Sequence, residues 1–130
     1  MTVLDASAAI EWLLRTEKVS LIEKRIFSRG TALHAPHLLD VEAAQVLRRY
    51  VRERVITEAR AEEALGDLTD LRIVRHPHTF LLRRAWELRN HLTAYDAVYV
   101  ALAEALDAPL LTCDAKIAAA PGHDAIVEVV

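Results

Sequence analysis

The segment that most constrains the fold of this chain is residues 94–106, which are almost wholly apolar and carry only two charged side chains, Asp96 and Glu104. A helix that is apolar around its whole circumference must be buried. Asp96 lies in the first turn of this helix, where the helix dipole favours negative charge. A carboxylate in such a place needs a cation, hydrogen bonds or a proton to offset its lost hydration. The sequence therefore predicts that Asp96 belongs to a polar site.

Short apolar strands alternate with helices along the rest of the chain. We predict strands at residues 2–5, 32–35, 71–74, 109–112 and 126–129. We predict helices at residues 6–15, 18–28, 38–54, 57–68, 79–91, 94–106 and 114–119. This order is typical of an α/β three-layer sandwich, in which helices flank a short, mostly parallel central sheet. A chain of 130 residues suits one such domain, spanning residues 1–130.

Composition and charge limit the classes of protein to consider. Hydrophobic residues make up 53% of the chain and charged residues 27%, which excludes a disordered chain. The formal net charge of −3 is unfavourable for binding nucleic acid, so any basic surface must be local. The single cysteine, Cys113, excludes an internal disulfide and fits a reducing compartment. With no signal-peptide pattern in MTVLDASAA and no run near the ~18 apolar residues of a membrane span, we expect a cytoplasmic protein without a membrane partner.

Four acidic residues occupy positions where α/β proteins bind ligands. Asp5 ends the first strand, Asp114 follows the strand at 109–112, and Glu42 and Asp96 lie near the starts of helices. In open α/β sheets, ligands bind beyond the carboxyl ends of the strands. We therefore expect the four carboxylates to converge on one pocket.

A divalent cation would reconcile four carboxylates with one pocket, because ionised carboxylates a few ångströms apart repel one another. Oxygen ligands with no paired His or Cys favour Mg²⁺ or Mn²⁺ over Zn²⁺. Ser7 and Thr112 each lie two residues from one of the acids and are expected to orient the ligands through hydrogen bonds. Such a site favours phosphoryl transfer by metal-activated water. The alternative is that Asp5 and Asp114 are plain helix N-caps and Glu42 a solvated helix residue.

Three segments carry a resemblance to a known family. VLDASAAIEWLL near the start, APHLLDVEAAQVLRR in the middle and YDAVYVALAEALDAPLLTCDAKIA near the end resemble the PIN-domain nucleases, specifically the VapC toxins of bacterial toxin–antitoxin pairs. The motifs occur in the family's order and cover nearly the whole chain. The third is the most specific: an Asp opens an apolar helix, and a strand and Thr-x-Asp follow.

The resemblance implies a PIN-like fold and a Mg²⁺- or Mn²⁺-dependent endoribonuclease that cuts structured RNA such as tRNA or rRNA. By resemblance, Asp5, Glu42, Asp96 and Asp114 are the catalytic, metal-holding acids, and Thr112 is the frequent active-site hydroxyl. The resemblance further implies a homodimer and inhibition by a cognate VapB antitoxin.

Two surface features suggest where partners bind. Arg48, Arg49 and Arg52 form a basic run on the helix that carries Glu42, which predicts either an RNA-backbone contact or a solvated helix end. Trp12 falls nearly opposite the apolar face of its helix, which predicts either a partner surface or a ring covered by the second helix.

Other functional classes fit less well. A response-regulator receiver needs an adjacent acid pair after the first strand, whereas Ala6 and Ser7 follow Asp5. A phosphatase of the haloacid-dehalogenase type needs an Asp where Ser7 stands. A PIN domain that binds RNA or a partner without cutting remains the alternative function, against which the complete set of acids argues.

Overall fold

The computed structural model describes residues 1–28, 30 and 32–130. Within these residues five strands form one sheet, with bounds Thr2–Leu4 (β1), Leu33–Pro36 (β2), Ile73–His76 (β3), Leu110–Thr112 (β4) and Val127–Val129 (β5). The helices are Ala6–Leu13 (α1), Val19–Phe27 (α2), Leu38–Arg52 (α3), Glu58–Asp70 (α4), Leu82–Glu87 (α5), Ala94–Leu106 (α6) and Ala115–Ala119 (α7). A 3₁₀ turn, Thr79–Leu81, precedes α5.

All described strand pairs are parallel, and the strand order is β3-β2-β1-β4-β5. The chain moves outward from β1 to β3 on one side and then crosses to β4 on the other. The strand order therefore reverses between β1 and β4, which is where open α/β sheets form their ligand crevice. Asp5 follows β1 and Asp114 follows β4, so this topology places both acids at the crevice.

Two hydrophobic clusters cover the opposite faces of the sheet. Leu4 packs with side chains of α1 to α4, whereas its neighbour Val3 packs with side chains of α5, α6 and α7. Successive strand residues point to opposite faces, so both faces of β1 are buried. The prediction of a three-layer sandwich is confirmed.

Helix α6 lies in the core as its composition predicts. Every residue from Ala97 to Ala103 is buried, and fully burying one large apolar side chain contributes about 1.5–3 kcal/mol. Thr93 caps the helix by accepting the backbone N–H of Asp96 at 3.2 Å. Asp107, in the left-handed conformation at φ 50°, ends the helix.

Most predicted elements match the structure to within one or two residues at each end, and two differ in ways that tertiary packing explains. The helix predicted at 79–91 is only a 3₁₀ turn followed by α5, because Leu88 and Leu92 both turn into the core and the intervening chain forms turns. The strand predicted at 71–74 begins at Ile73, because α4 continues to Asp70 and Leu71 serves as its C-cap.

None of the helices in the described ranges combines the length and the apolar character that crossing a bilayer requires.

Candidate active site

A cleft of about 460 Å³ opens at the carboxyl ends of β1 and β4, between the first turns of α3 and α6. All four predicted acids line it: Asp5, Glu42, Asp96 and Asp114. Ser7 lines it as well. The expected convergence of the four carboxylates on one pocket is therefore what the structure shows.

Asp5 is the most constrained of the four carboxylates, with only 5% of its surface exposed. It caps α1, because its Oδ1 accepts the backbone N–H of Ala8 at 3.1 Å. Oδ1 also accepts the Ser7 hydroxyl at 2.7 Å, and Oδ2 accepts the Thr112 hydroxyl at 2.5 Å. Burial raises the pKa of Asp5, while these three hydrogen bonds act to lower it. Helix capping and membership of the acidic site thus coincide in one residue.

The hydroxyls of Ser7 and Thr112 connect Asp5 to the segment after β4. The backbone N–H of Cys113 donates to Ser7 Oγ at 2.8 Å, and that of Asp114 donates to Thr112 Oγ1 at 3.0 Å. Each hydroxyl therefore accepts from one backbone N–H and donates to one Asp5 oxygen. The predicted orienting role of Ser7 and Thr112 has a direct geometric basis for Asp5, and both carboxylate oxygens are held in place.

Glu42 reaches the cleft from the second turn of α3, where its Oε1 accepts the Tyr99 hydroxyl at 2.7 Å. Burial and then the Glu42 charge raise the pKa of Tyr99, so its phenol stays protonated and acts as the donor. The pKa of Glu42 is itself raised, chiefly by burial and further by the charges of Asp96 and Asp5. Glu42 is therefore a positioned member of the site and not a solvated helix residue.

Asp96 and Asp114 complete the cleft from α6 and α7. Asp96 is half-buried, and its pKa is raised first by burial and then by the charge of Asp114. Asp114 caps α7, because its Oδ1 accepts the backbone N–H of Lys116 at 2.9 Å. The charge of Lys116 partly offsets the raised pKa of Asp96.

The donor set fits a hard divalent cation, because carboxylate and hydroxyl oxygens are the side-chain ligands that Mg²⁺ and Mn²⁺ prefer. Mutual repulsion contributes to the raised pKa values of Asp5, Glu42 and Asp96, and a cation would relieve it. However, no three His, Cys, Asp or Glu side chains in the described part of the chain are already spaced to hold one ion. An ion would therefore be held partly through water or after side-chain rotation.

The basic run begins where the cleft ends. Gln45 lines the cleft and also a neighbouring groove formed with Arg48, Arg49 and Arg52. The three arginines are exposed. Helix α3 thus carries an acidic surface in its first turns and a basic surface in its last turns.

Trp12 is only partly exposed. Its ring packs against the core on the α1 side, and its Nε1–H donates to Glu23 on α2 at 3.1 Å. Of the two alternatives, a ring partly covered by the second helix is what the structure shows. A contact between Trp12 and a partner stays a prediction.

Two tyrosines that the sequence patterns did not single out, Tyr95 and Tyr99, also line the cleft. Tyr99 lies three residues after Asp96 and so on the same side of α6. A hydroxyl on a buried helix requires a partner, and this signal would have indicated the contact with Glu42. Tyr95 is exposed, and nothing in the local pattern distinguishes it from a solvated residue.

Comparison with known proteins places this geometry in a family. The PIN domain pattern matches residues 2–122. Ribonuclease VapC1 of Mycobacterium tuberculosis is 46% identical over 121 residues, which cover 92% of this chain and 90% of the relative. Ribonuclease VapC12 of the same species is 38% identical over 130 residues, covering 100% and 99%.

A solved structure agrees at the level of the fold. The VapBC2 structure from Rickettsia felis, bound to a DNA fragment from its promoter, contains a chain that superimposes with a TM-score of 0.70 at 12% identity. The match covers 98% of this chain and 97% of that chain. With the sequence relatives and the acidic cleft, these findings show that the chain belongs to the PIN-domain family and, within it, to the VapC ribonucleases.

Proposed function

We propose that this protein is a Mg²⁺- or Mn²⁺-dependent endoribonuclease, the toxin of a type II toxin–antitoxin pair, that hydrolyses phosphodiester bonds in structured RNA of the tRNA or rRNA class. The observation that carries the proposal is the convergence of Asp5, Glu42, Asp96 and Asp114 on one cleft. Core packing does not explain this arrangement, because like charges in a partly buried cleft destabilise the metal-free fold.

The acids have distinct roles in the proposed reaction. Asp5, Asp96 and Glu42 would hold the principal cation, directly or through water, and Asp114 would complete the pocket. When bound, the cation supplies Lewis-acid activation and neutralises the charge that develops on the phosphodiester. Ser7 and Thr112 keep the carboxylate of Asp5 in one orientation, and Tyr99 keeps that of Glu42. This preorganisation reduces the rearrangement needed when substrate arrives.

The arginine groove supports binding of the RNA backbone on one side of the cleft. Replacing Arg48 and Arg52 by Glu should weaken RNA binding and make it less sensitive to salt. Each phosphate contact contributes ~0.7–0.9 to the slope of the logarithm of the binding constant against the logarithm of the salt concentration. A matched control replaces two exposed arginines outside the groove, Arg72 and Arg83, which changes the net charge equally. Equal loss of binding in both double variants would reject a specific role for the groove.

We propose a cognate VapB-type antitoxin, RNA and a second copy of this chain as partners in the cytoplasm. The Rickettsia felis structure contains a VapBC2 complex, which supports the antitoxin. The exposed side chains of Leu82 and Trp86 lie one turn apart on α5, and such an apolar surface supports a homodimer. Light scattering measures the oligomeric state of the wild type and of Trp86→Glu and so tests the homodimer. A monomeric wild type would reject it.

The decisive experiment compares the wild type with Asp96→Asn. Induced in cells, the wild type should arrest growth and produce discrete RNA fragments, whereas the variant should do neither. In vitro, purified wild-type protein should cut RNA with Mg²⁺ or Mn²⁺ and stop when EDTA is added. Equal growth arrest by both proteins would reject the nuclease mechanism. RNA binding without cation-dependent cleavage would favour a PIN domain that binds and does not cut.

A further inference from the structure

The acidic cleft has a second chemical character, because its walls present large apolar side chains to solvent. Val41 on α3 is 68% exposed and Tyr95 on α6 is 61% exposed, and both line the cleft. Leu38 and Val46 of α3 also line it. One cleft therefore combines four carboxylates with apolar walls on the two helices that border it.

Local structure does not account for the ring of Tyr95. Thr93, and not Tyr95, caps α6, and no hydrogen bond reaches the Tyr95 hydroxyl from any described residue. The ring lies outside both hydrophobic clusters of the sheet. The residue next to it is Asp96, one of the four acids. The position thus holds an exposed aromatic ring beside the proposed reaction centre.

We propose that Tyr95, with Val41 on the facing helix, contacts an unpaired RNA base next to the phosphate that is cut. The inference rests on the proposed nuclease function and assigns to that site a residue that selects unpaired over paired RNA. A nucleotide combines an anionic phosphate with a flat apolar base, and the cleft combines a cation-holding group of acids with an aromatic wall. Base–aromatic stacking tolerates every base, because each base has a π-face.

This contact predicts which parts of a structured RNA are cut. A base that stacks on Tyr95 cannot remain stacked in a duplex, so a paired base must first be extruded at a cost of a few kcal/mol. Cleavage is therefore expected in loops, bulges and single-stranded ends, where bases are already unstacked. Cleavage sites in paired regions should be rare.

The test uses the cleavage site that the wild type produces in total cellular RNA, mapped by sequencing the new ends. A single-stranded oligoribonucleotide spanning this site is made intact and with an abasic residue on either side of the cut phosphate. The variants are Tyr95→Ala and Tyr95→Phe. Phe27→Ala serves as the matched control, because Phe27 is 56% exposed and lies outside the cleft.

On the intact oligonucleotide, Tyr95→Ala should lose roughly 5- to 150-fold in kcat/KM, the range expected for one lost base–aromatic stack. Tyr95→Phe keeps the ring and should retain nearly full activity, as should Phe27→Ala. On the abasic substrate, kcat/KM of the wild type should fall by a similar factor. That of Tyr95→Ala should fall no further, because both changes remove the same contact.

Three results would overturn the inference. One is normal cleavage by Tyr95→Ala. Another is a loss of kcat/KM in Tyr95→Ala, relative to the wild type, that is equally large on intact and abasic substrates, which would indicate a structural role. The third is an effect confined to inhibition by the antitoxin, which would make the apolar walls a protein-docking surface. Absence of cleavage by the wild type would instead reject the proposed function, and this inference with it.

Discussion

The two ends of α6 carry carboxylates in opposite electrostatic surroundings. The acidic cleft lies at the first turn of α6. Near the last turn of α6, a cavity of about 500 Å³ is lined by Glu104 and by Arg84 and Glu87 of α5. Arg84 donates to both oxygens of Glu104 at 2.8 and 2.9 Å and also pairs with Glu87 at 3.1 Å. The hydrogen bonds from Arg84 lower the pKa of Glu104. In the acidic cleft, by contrast, the pKa values of three carboxylates are raised.

The ion-paired carboxylate of Glu104 stabilises the fold, whereas the carboxylates of the acidic cleft are available to a ligand. No described residue forms an ion pair with Asp5, Glu42, Asp96 or Asp114. The hydrogen bonds of the acidic cleft come from hydroxyls and backbone N–H groups, which orient carboxylates without cancelling their charge. A site that holds four carboxylates with no ion-pair partner among the described residues, at a cost in stability, is typical of function. The cavities at the two ends of α6 have similar volumes, so volume alone does not indicate which end acts on a substrate.

The largest expected contrast is in catalysis. Glu42→Gln keeps an acceptor for the Tyr99 hydroxyl but removes the charge, and should lower kcat by roughly 10²–10³-fold, as loss of one preorganised electrostatic group does elsewhere. Glu104→Gln, at the other end of α6, should leave kcat unchanged. Steady-state cleavage of a mapped oligoribonucleotide measures both. A comparable loss in Glu104→Gln would show that the two ends are not functionally distinct.

Divalent cations should stabilise the protein through the acidic cleft alone. At a cation concentration one hundred times Kd, binding to the folded state adds about 2.7 kcal/mol to the free energy of unfolding. Thermal unfolding in Mg²⁺ or Mn²⁺ against EDTA measures this gain. Glu104→Gln should show the same gain as the wild type, and Asp96→Asn a much smaller one. A full gain in Asp96→Asn would place the cation elsewhere.

Without cations, the same two substitutions should change stability in opposite directions. Glu104→Gln breaks a partly buried, bidentate ion pair and should lower the free energy of unfolding by about 1–2 kcal/mol at pH 7. Asp96→Asn removes a repelling charge and should raise the unfolding midpoint by a few degrees, roughly the effect of 1 kcal/mol or less. Chemical denaturation in EDTA checks both signs. A destabilised Asp96→Asn would mean that its charge is already compensated.

The smallest expected effect is the pH dependence of these differences. The pKa of Asp96 is raised above 3.8 in the fold, so the folded state holds its proton more tightly and stability falls as pH rises through the raised pKa. The advantage of Asp96→Asn should therefore vanish near pH 4 and grow toward pH 7. The pKa of Glu104 is lowered from 4.5, so its contribution is present at pH 7 and disappears as pH falls. Stability curves with parallel pH dependence for the two variants would contradict this assignment.

Much of the fold follows from local sequence patterns. The apolar composition of residues 94–106 predicts the buried helix α6, and Asp5, Thr57 and Asp114 are N-caps as their residue types indicate. The helix predicted at 79–91 is wrong in extent, since the burial of Leu88 and Leu92 decides where the chain turns. Propensity is a local quantity, and burial against distant elements overrides it.

The four acids of the candidate site and the hydroxyls of Ser7 and Thr112 were predictable, whereas the two tyrosines of the cleft were not. The positions of the four acids relative to strands and helices indicated one pocket, because a parallel sheet gathers the carboxyl ends of its strands at one edge. The Tyr99–Glu42 contact and the partial burial of Trp12 depend on how helices pack against each other. Neither has a signature within a single helix.

By itself, the sequence determined the alternation of strands and helices, the buried helix α6 and the placement of carboxylates at element boundaries. These depend on the hydrophobic period and capping chemistry of neighbouring residues. Only the tertiary structure decided which charges are compensated: Arg84 reaches Glu104 across two helices, while Thr112 meets Asp5 across 107 positions. Pairing of this kind depends on strand order and helix packing, which is why Glu104 near one end of α6 has an arginine partner and Asp96 at the other end has none among the described residues.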